Sequence, residues 1–375
     1  MVAEAGARPS ARSWVDGTAP ALQERVLHAP PVAFVEYCLR GVGQVMFMNN
    51  PFTGLFVLVA AWLFDPWLGF GGTLGVVVST LVALLLRFDR GAIHAGIFGF
   101  NGVLCGLALA TFLAPKWDGL ATTWIVIVSA GSSIAMAALG ALFAKAWGVP
   151  PFTLAFNFSV LIFMITGLHM LRGRLGDGIS PLTPAVDGPQ VSTVLREHAT
   201  AAVTSSLDGW LNAVFRGIGQ LFFVNSILGG VLILIGIAIC SRIAAGFALI
   251  GVIVGTAVGV GLGASGVAIY NGLWGFNSYD ACLAIAGVFY VLTWRSALLG
   301  VACAAYTALL FGAIGSFLGP WGMPAMTLPF CFGVLTFVML RGTTPLFTYV
   351  DDISTPEEHL ARARAQAQKE AAAGS

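Results

Sequence analysis

Three blocks of this chain occur twice, in the same order and at almost the same separation. GVGQVMFMNN at 41–50 returns as GIGQLFFVNS at 217–226, and FGFNG at 98–102 returns as WGFNS at 274–278, at an identical offset. PPFTLAFN at 150–157 returns as PAMTLPFC at 324–331, at an offset only slightly shorter. A chain that repeats itself over half its length folds as two copies of one unit, and here the repeated blocks are polar islands in very apolar surroundings.

Those surroundings define the solvent. Hydrophobic residues make up 58% of the chain and charged residues 9%, with a mean hydropathy of +0.89. A soluble globular chain carries about 25% charge, so this composition belongs to an all-α membrane protein embedded in a lipid bilayer. Apolar runs at 52–64, 69–87, 96–114, 121–147 and 152–171 are matched in the second half by 227–241, 243–264, 272–292, 296–318 and 326–340. Most are long enough to cross about 30 Å of hydrocarbon as helices. The 47 glycines suit close helix packing in lipid.

Each half opens with a shorter segment, 33–48 and 210–225, that carries polar groups: Glu36, Arg40 and Gln44 in one, Asn212, Arg216 and Gln220 in the other. Such segments fit re-entrant pore helices, which lipid tolerates only where protein or a water-filled cavity surrounds them. About five full spans per half is an odd number, so the second copy enters the bilayer from the opposite side. The expected fold is two inverted repeats with a central pore between them. Its parts are a polar N-terminal tail (1–30), a first membrane repeat (31–172), a linker (173–208), a second repeat (209–345) and a cytoplasmic C-terminal tail (346–375). Arg8, Arg12 and Arg25 in the first tail, and the basic residues of the last, favour both ends inside, while Arg172, Arg174 and Arg196 in the linker pull the other way. Thr355, Pro356 and Glu358 form a cap-and-first-turn signature for a short helix in the tail. Glu36 and Arg40, four apart, are expected to pair within their helix.

The six cysteines lie in or beside apolar segments without metal-type spacing. No metal, cofactor or nucleic-acid partner is expected, and no nucleophile stands with a base at readable spacing, which excludes an amidase-like enzyme. What remains is a passage. Thr153 and Thr327 occupy equivalent positions and offer one hydroxyl from each half. Pro324 and Pro329 lack N–H groups, which is expected to leave carbonyls bare toward a lumen. Phe47 and Phe223 follow Gln44 and Gln220 by three residues, while Phe100 and Phe276 stand in the second pair of blocks. Parallel rings and a row of acceptors fit a small, planar, neutral molecule with several N–H donors. Urea has that chemistry, whereas a bare ion would lose its hydration without compensation.

At these residues the chain resembles the urea transporter family over 31–345. The resemblance rests on the GQV-F-NNP block, the GFN block and the LP-x-x-T-x-PF signature, each in both halves. It implies a homotrimer in the cell membrane, with one pore per protomer conducting urea down its gradient. Carried over by position, Phe47, Phe100, Phe223 and Phe276 form two aromatic slots that Val45 and Leu221 complete. Gln44 and Gln220 bind urea at the slot mouths, and Thr153 and Thr327 mark the constriction. The chain departs from the pattern at Val149, at Ala155 and above all at Asp280, where the family has leucine, as Leu104 follows Phe100 here. A carboxyl beside the narrowest part of a pore is costly to charge, so Asp280 is expected to be neutral, paired or hydrated. A structural partner, contact with substrate, and gating by protonation stay open as its role.

Two rival transporters differ in testable ways. Ammonium channels place paired histidines at the pore centre, but His94 maps onto Tyr270 and His169 onto Thr343, so neither is duplicated. A proton-coupled transporter of a related amide or amine would use Asp280 as its proton carrier, and an uncoupler would abolish its uptake.

Overall fold

The computed structural model describes residues 14–170, 172–176, 179 and 205–373. Most of the expected linker, together with Arg8, Arg12 and Arg196, lies outside the described residues. The described chain is helical, with two isolated bridges, Leu113–Leu175 and Tyr290–Tyr349.

After a short α1 (Pro20–Val26), the first half runs α2 (Pro30–Gln44), α3 (Pro51–Phe64), α4 (Pro66–Leu85), α5 (Arg90–His94), α6 (Gly99–Phe112), α7 (Gly119–Ala146) and α8 (Leu154–Gly167). The second half repeats the order: α9 (Leu207–Gln220), α10 (Ile227–Cys240), α11 (Arg242–Gly261), α12 (Gly266–Tyr270), α13 (Phe276–Leu283), α14 (Trp294–Leu318) and α15 (Leu328–Val338). Helices α10, α11 and α12 begin and end in exact register with α3, α4 and α5, at the offset of the first two duplicated blocks. A tail helix, α16 (Pro356–Ala373), closes the chain.

Local chemistry sets the boundaries. The Asn50 side chain accepts from Phe52 N at 2.8 Å and caps α3, with Pro51 in the first turn where no helical donor is lost. Asp65 and Pro66 do the same for α4, and Ser226 and Ser241 cap α10 and α11. A reciprocal Thr293–Ser296 pair starts α14.

Four helical stretches are long and apolar enough to cross a membrane: Pro66–Leu85, Gly119–Ala146, Arg242–Gly261 and Trp294–Trp321. The runs expected over 52–64, 96–114, 152–171 and 227–241 fold instead as helices of 14 residues each. At 1.5 Å per residue these reach about 21 Å, short of the hydrocarbon thickness. The runs of α6 and α8 continue into irregular backbone, where the sequence has no acid, lysine or arginine to mark the change. Such backbone survives at depth only where protein or a cavity covers it.

Close backbone contact holds each half together. A Cβ on Gly75 of α4 would stand 3.1 Å from Gly106 Cα of α6, so glycine is needed for the helices to touch. Between halves, Thr53 Oγ1 of α3 donates to the Gly236 carbonyl of α10 at 2.6 Å. Helix α3 thus meets the helix at the equivalent position of the second half.

The tail helix starts where Thr355 and Pro356 lead one to expect, with Glu358 N 3.4 Å from Thr355 Oγ1. It is docked rather than free. Glu357 Oε1 accepts from Ile243 N of α11 at 3.0 Å, and His359 Nδ1 lies 3.0 Å from the Gly287 carbonyl.

A candidate two-fold passage

The polar groups of α2 and α9 build the frame. Arg40 is fully buried, paired through Nε with Glu36, and its Nη1 donates to the Asn49 carbonyl at 2.7 Å and to Thr18 O at 2.8 Å. In the second half Asn212 replaces the acid and accepts from Arg216 Nε at 2.8 Å, while Arg216 also lies over the Tyr270 ring at 5.0 Å. One turn on, Gln44 donates to the Ala95 carbonyl at 2.9 Å and Gln220 to the Asn271 carbonyl at 2.8 Å. These bonds anchor each amide nitrogen and leave the amide oxygen as the group a glutamine can offer to a solute. His94 stacks on Tyr37 at 4.7 Å.

Each frame ends in a strained break. Phe47 and Phe223 have φ of 61° and 59°, and Phe152 and Met326 have 53° and 50°. Non-glycine residues occupy the left-handed region only where their surroundings impose it, and such residues gather at functional sites. Gly96 and Gly272, at φ 76° and 75°, make the matching turns beneath them.

The rings cross from one half to the other. Phe47 meets Phe289 edge-on, with centroids 5.3 Å apart and planes at 85°, and Phe223 meets Phe112 at 5.9 Å and 88°. Phe47 also approaches Phe152 and Phe330, at 6.4 and 6.0 Å. Phe276 packs on Phe311 at 5.8 Å. Phe112 and Phe289 are among the residues that sequence reasoning missed. Their separation exceeds that of the first two duplicated blocks by one, because the second half absorbs an extra residue in a π turn at Ala284–Val288. A single-residue insertion is what a π turn accommodates.

Where α8 and α15 begin, the halves touch. Thr153 Oγ1 and Thr327 Oγ1 are 2.7 Å apart, and Thr153 Oγ1 is 3.1 Å from Cys331 Sγ. Asn157 Nδ2 donates to Thr327 Oγ1 and to the Thr153 carbonyl, both at 2.8 Å. At Pro329 the carbonyl one turn earlier is not left bare, and more than proline shapes this backbone. Pro329 sits in the first turn of α15, and Ala325 O, the carbonyl one turn earlier, accepts instead from Leu328 N at 3.2 Å. Asparagines shape it: Asn101 Oδ1 accepts from Phe156 N at 2.9 Å and Asn277 Oδ1 from Phe330 N at 3.2 Å. They take the N–H groups that a continued helix would give to the Phe152 and Met326 carbonyls. Both asparagines stand inside the duplicated FN blocks, which was the signal available for them.

A cavity of about 660 Å³ opens against the second-half set. Gln220, Leu221, Phe223, Phe276 and Thr327 line it together, with the ion-paired Asp65 and Lys116 at its rim. Of the first-half set, Gln44 and Phe47 are half-buried, while Val45, Phe100 and Leu104 are buried. Asp280 is fully buried, one helical turn beyond Phe276, and stands outside the cavity lining. Among the described residues no cluster of metal-ligating side chains occurs, and the six cysteines are buried free thiols.

A family profile described as urea transporter matches residues 35–342. Urea transporter 1 of Ovis aries is 34% identical over 334 residues, covering 87% of this chain and 82% of the sheep protein. Urea transporter 1 of Rattus norvegicus is 35% identical over 316 residues, covering 83% and 78%.

Proposed function

The chain belongs to the urea transporter family, and from that premise we propose that it conducts urea passively through a pore formed between two inverted halves. It is a multi-pass membrane protein of a transporting family, not an enzyme. The observation that carries the pore reading is the hydroxyl contact between Thr153 and Thr327, the point where the two halves meet behind a solute-sized cavity.

From each side a solute meets a glutamine oxygen, then rings, then the threonine pair. Phe47 with Phe100, and Phe223 with Phe276, are the walls of the two slots, completed by Val45 and Leu104 in one and by Leu221 in the other. Phe112 and Phe289 brace them from the opposite half. A flat amide slides between apolar walls while its N–H groups pass from acceptor to acceptor, and a hydrated ion finds no counter-charge at the threonines. The assembly is a homotrimer in the cell membrane, a bacterial inner membrane in our reading, with a pore in each protomer. Urea entering by this route is available to a cytoplasmic urease.

Stopped-flow light scattering of proteoliposomes under a urea gradient tests this directly. Fast entry without any ion gradient, unaffected by an uncoupler, is expected. Uptake that stops when the proton gradient is dissipated would show a coupled transporter instead.

A further inference from the structure

One buried acid has no counterpart in the two-fold frame. Asp280 stands where the first half has Leu104, is fully buried, and neither of its carboxyl oxygens has a hydrogen-bond partner among the described residues. Residues three and four apart share a helix face. Those that precede Asp280 at these spacings are Asn277, bonded to the Met326 carbonyl at 3.1 Å, and Phe276, which lines the cavity. Asp280 therefore faces the chain that enters α15, one turn deeper than the cavity wall. There α13 packs against α15, which carries Cys331, the thiol bonded to Thr153. The carboxyl thus lies behind the cavity-lining Phe276, on the face of α13 that meets the entry to α15.

Leaving a buried polar group unpaired is destabilising, and a leucine of similar size would avoid the cost. A fold keeps such a group where its partner comes and goes. Among the described residues no cationic side chain bonds Asp280, so a charge is disfavoured there and the uncharged acid form is favoured. That acid offers an O–H donor and a carbonyl acceptor side by side. The pair complements the carbonyl and syn N–H on one edge of urea or of a primary amide, closing two hydrogen bonds in one ring.

We propose that Asp280 is a specificity-determining residue that takes the amide edge of the passing solute, giving the second-half slot a polar binding site that the first-half slot, with Leu104, lacks. The proposal rests on the urea-conducting reading above. It makes the two slots unequal: a solute passes the first by shape and pauses at the second by pairing.

The test is urea entry into proteoliposomes as a function of urea concentration, for the unaltered protein, Asp280→Leu and Asp280→Asn. Asparagine keeps a donor beside an acceptor and leucine does not. The half-saturating concentration is expected to rise at least about fivefold in Asp280→Leu, the size of two lost net hydrogen bonds at the weak end of about 0.5 kcal/mol each, and to stay near the unaltered value in Asp280→Asn. Equal half-saturation in all three overturns the proposal. Infrared difference spectra of the solubilised, unaltered protein give a reading that needs no flux. Urea is expected to shift a carboxylic-acid carbonyl band that is missing from Asp280→Asn, and no such shift overturns the proposal. If the unaltered protein carries no urea at all, the conducting reading fails by that result alone. The same spectra with acetamide as the probe then decide Asp280: a shifted band supports the amide-edge site and an unshifted one overturns it.

Discussion

Thr153 and Thr327 hold each other, yet their remaining partners differ. Thr153 keeps the Cys331 thiol at 3.1 Å if Thr327 is lost, whereas Thr327 keeps the Asn157 amide at 2.8 Å if Thr153 is lost. Neither Thr→Val change strips the other hydroxyl of every partner, so both variants are expected to fold. Each should slow urea entry by roughly fivefold, the effect of one hydrogen bond of about 1 kcal/mol missing at the barrier. Stopped-flow permeability measures this, and unchanged rates in both variants would remove the threonines from the constriction. Asn277→Ala tests the other device at this scale. It takes the acceptor from Phe330 N and the donor from the Met326 carbonyl, and a loss of about 1–3 kcal/mol is expected for polar groups left buried and unpaired. Thermal unfolding in detergent should show it as a lowered midpoint, with Asn277→Asp recovering part of the loss.

Among the elements, the tail strap couples most directly to a slot. Val350 N donates to the Phe289 carbonyl at 2.9 Å, and the Phe289 ring abuts Phe47. His359 fastens the strap: Ser354 N donates to its Nε2 at 2.7 Å, so Nε2 must be bare and Nδ1 carries the proton toward Gly287 O. Burial, aided by Arg362, holds this imidazole below its ordinary range, against the opposing pull of the Gly287 carbonyl, Glu358 and Asp352. The undocked imidazole takes up a proton that the docked one refuses. Docking is therefore fully favoured above the ordinary histidine value of about 6.5 and weakens as pH falls through it. Protection factors for hydrogen exchange over 348–360, taken relative to the intrinsic rate at each pH, should fall below that pH, and His359→Gln should flatten the dependence; an unchanged pH profile in that variant would assign the effect elsewhere. The same elements show what was legible in the sequence. Helices α2 and α9 and the start of α16 were, because polar residues punctuate them. The 14-residue length of α6 was not, since its apolar run passes through Gly96 and the turn at 96–98 without a charge or proline. Phe289 was hidden because one inserted residue shifts it out of register, and only the π turn reveals that the extra residue is taken up before the ring.

At the scale of the whole molecule, inversion predicts that equivalent positions face opposite sides of the bilayer. Leu86 and Leu262, 52% and 59% exposed, follow α4 and α11 at equivalent positions of the two halves. All six native cysteines are buried, so the background for thiol labelling is low. A membrane-impermeant maleimide is expected to reach Leu86→Cys from one side only and Leu262→Cys from the other; labelling of both from the same side would refute inversion. The contact of Thr153 with Thr327 carries a historical consequence. Two halves related by duplication descend from one shorter gene, whose product would have paired with a second copy of itself. Any residue on the symmetry axis of that ancestor met its own twin. Twin carboxylates or twin ammonium groups repel, and twin carbonyls have nothing to share, but a hydroxyl gives and accepts at once and so can bond to its own image. Threonine is a residue that such an ancestor could keep at its centre. In the two halves as they stand, Leu104 and Asp280 differ while the self-matching threonines agree.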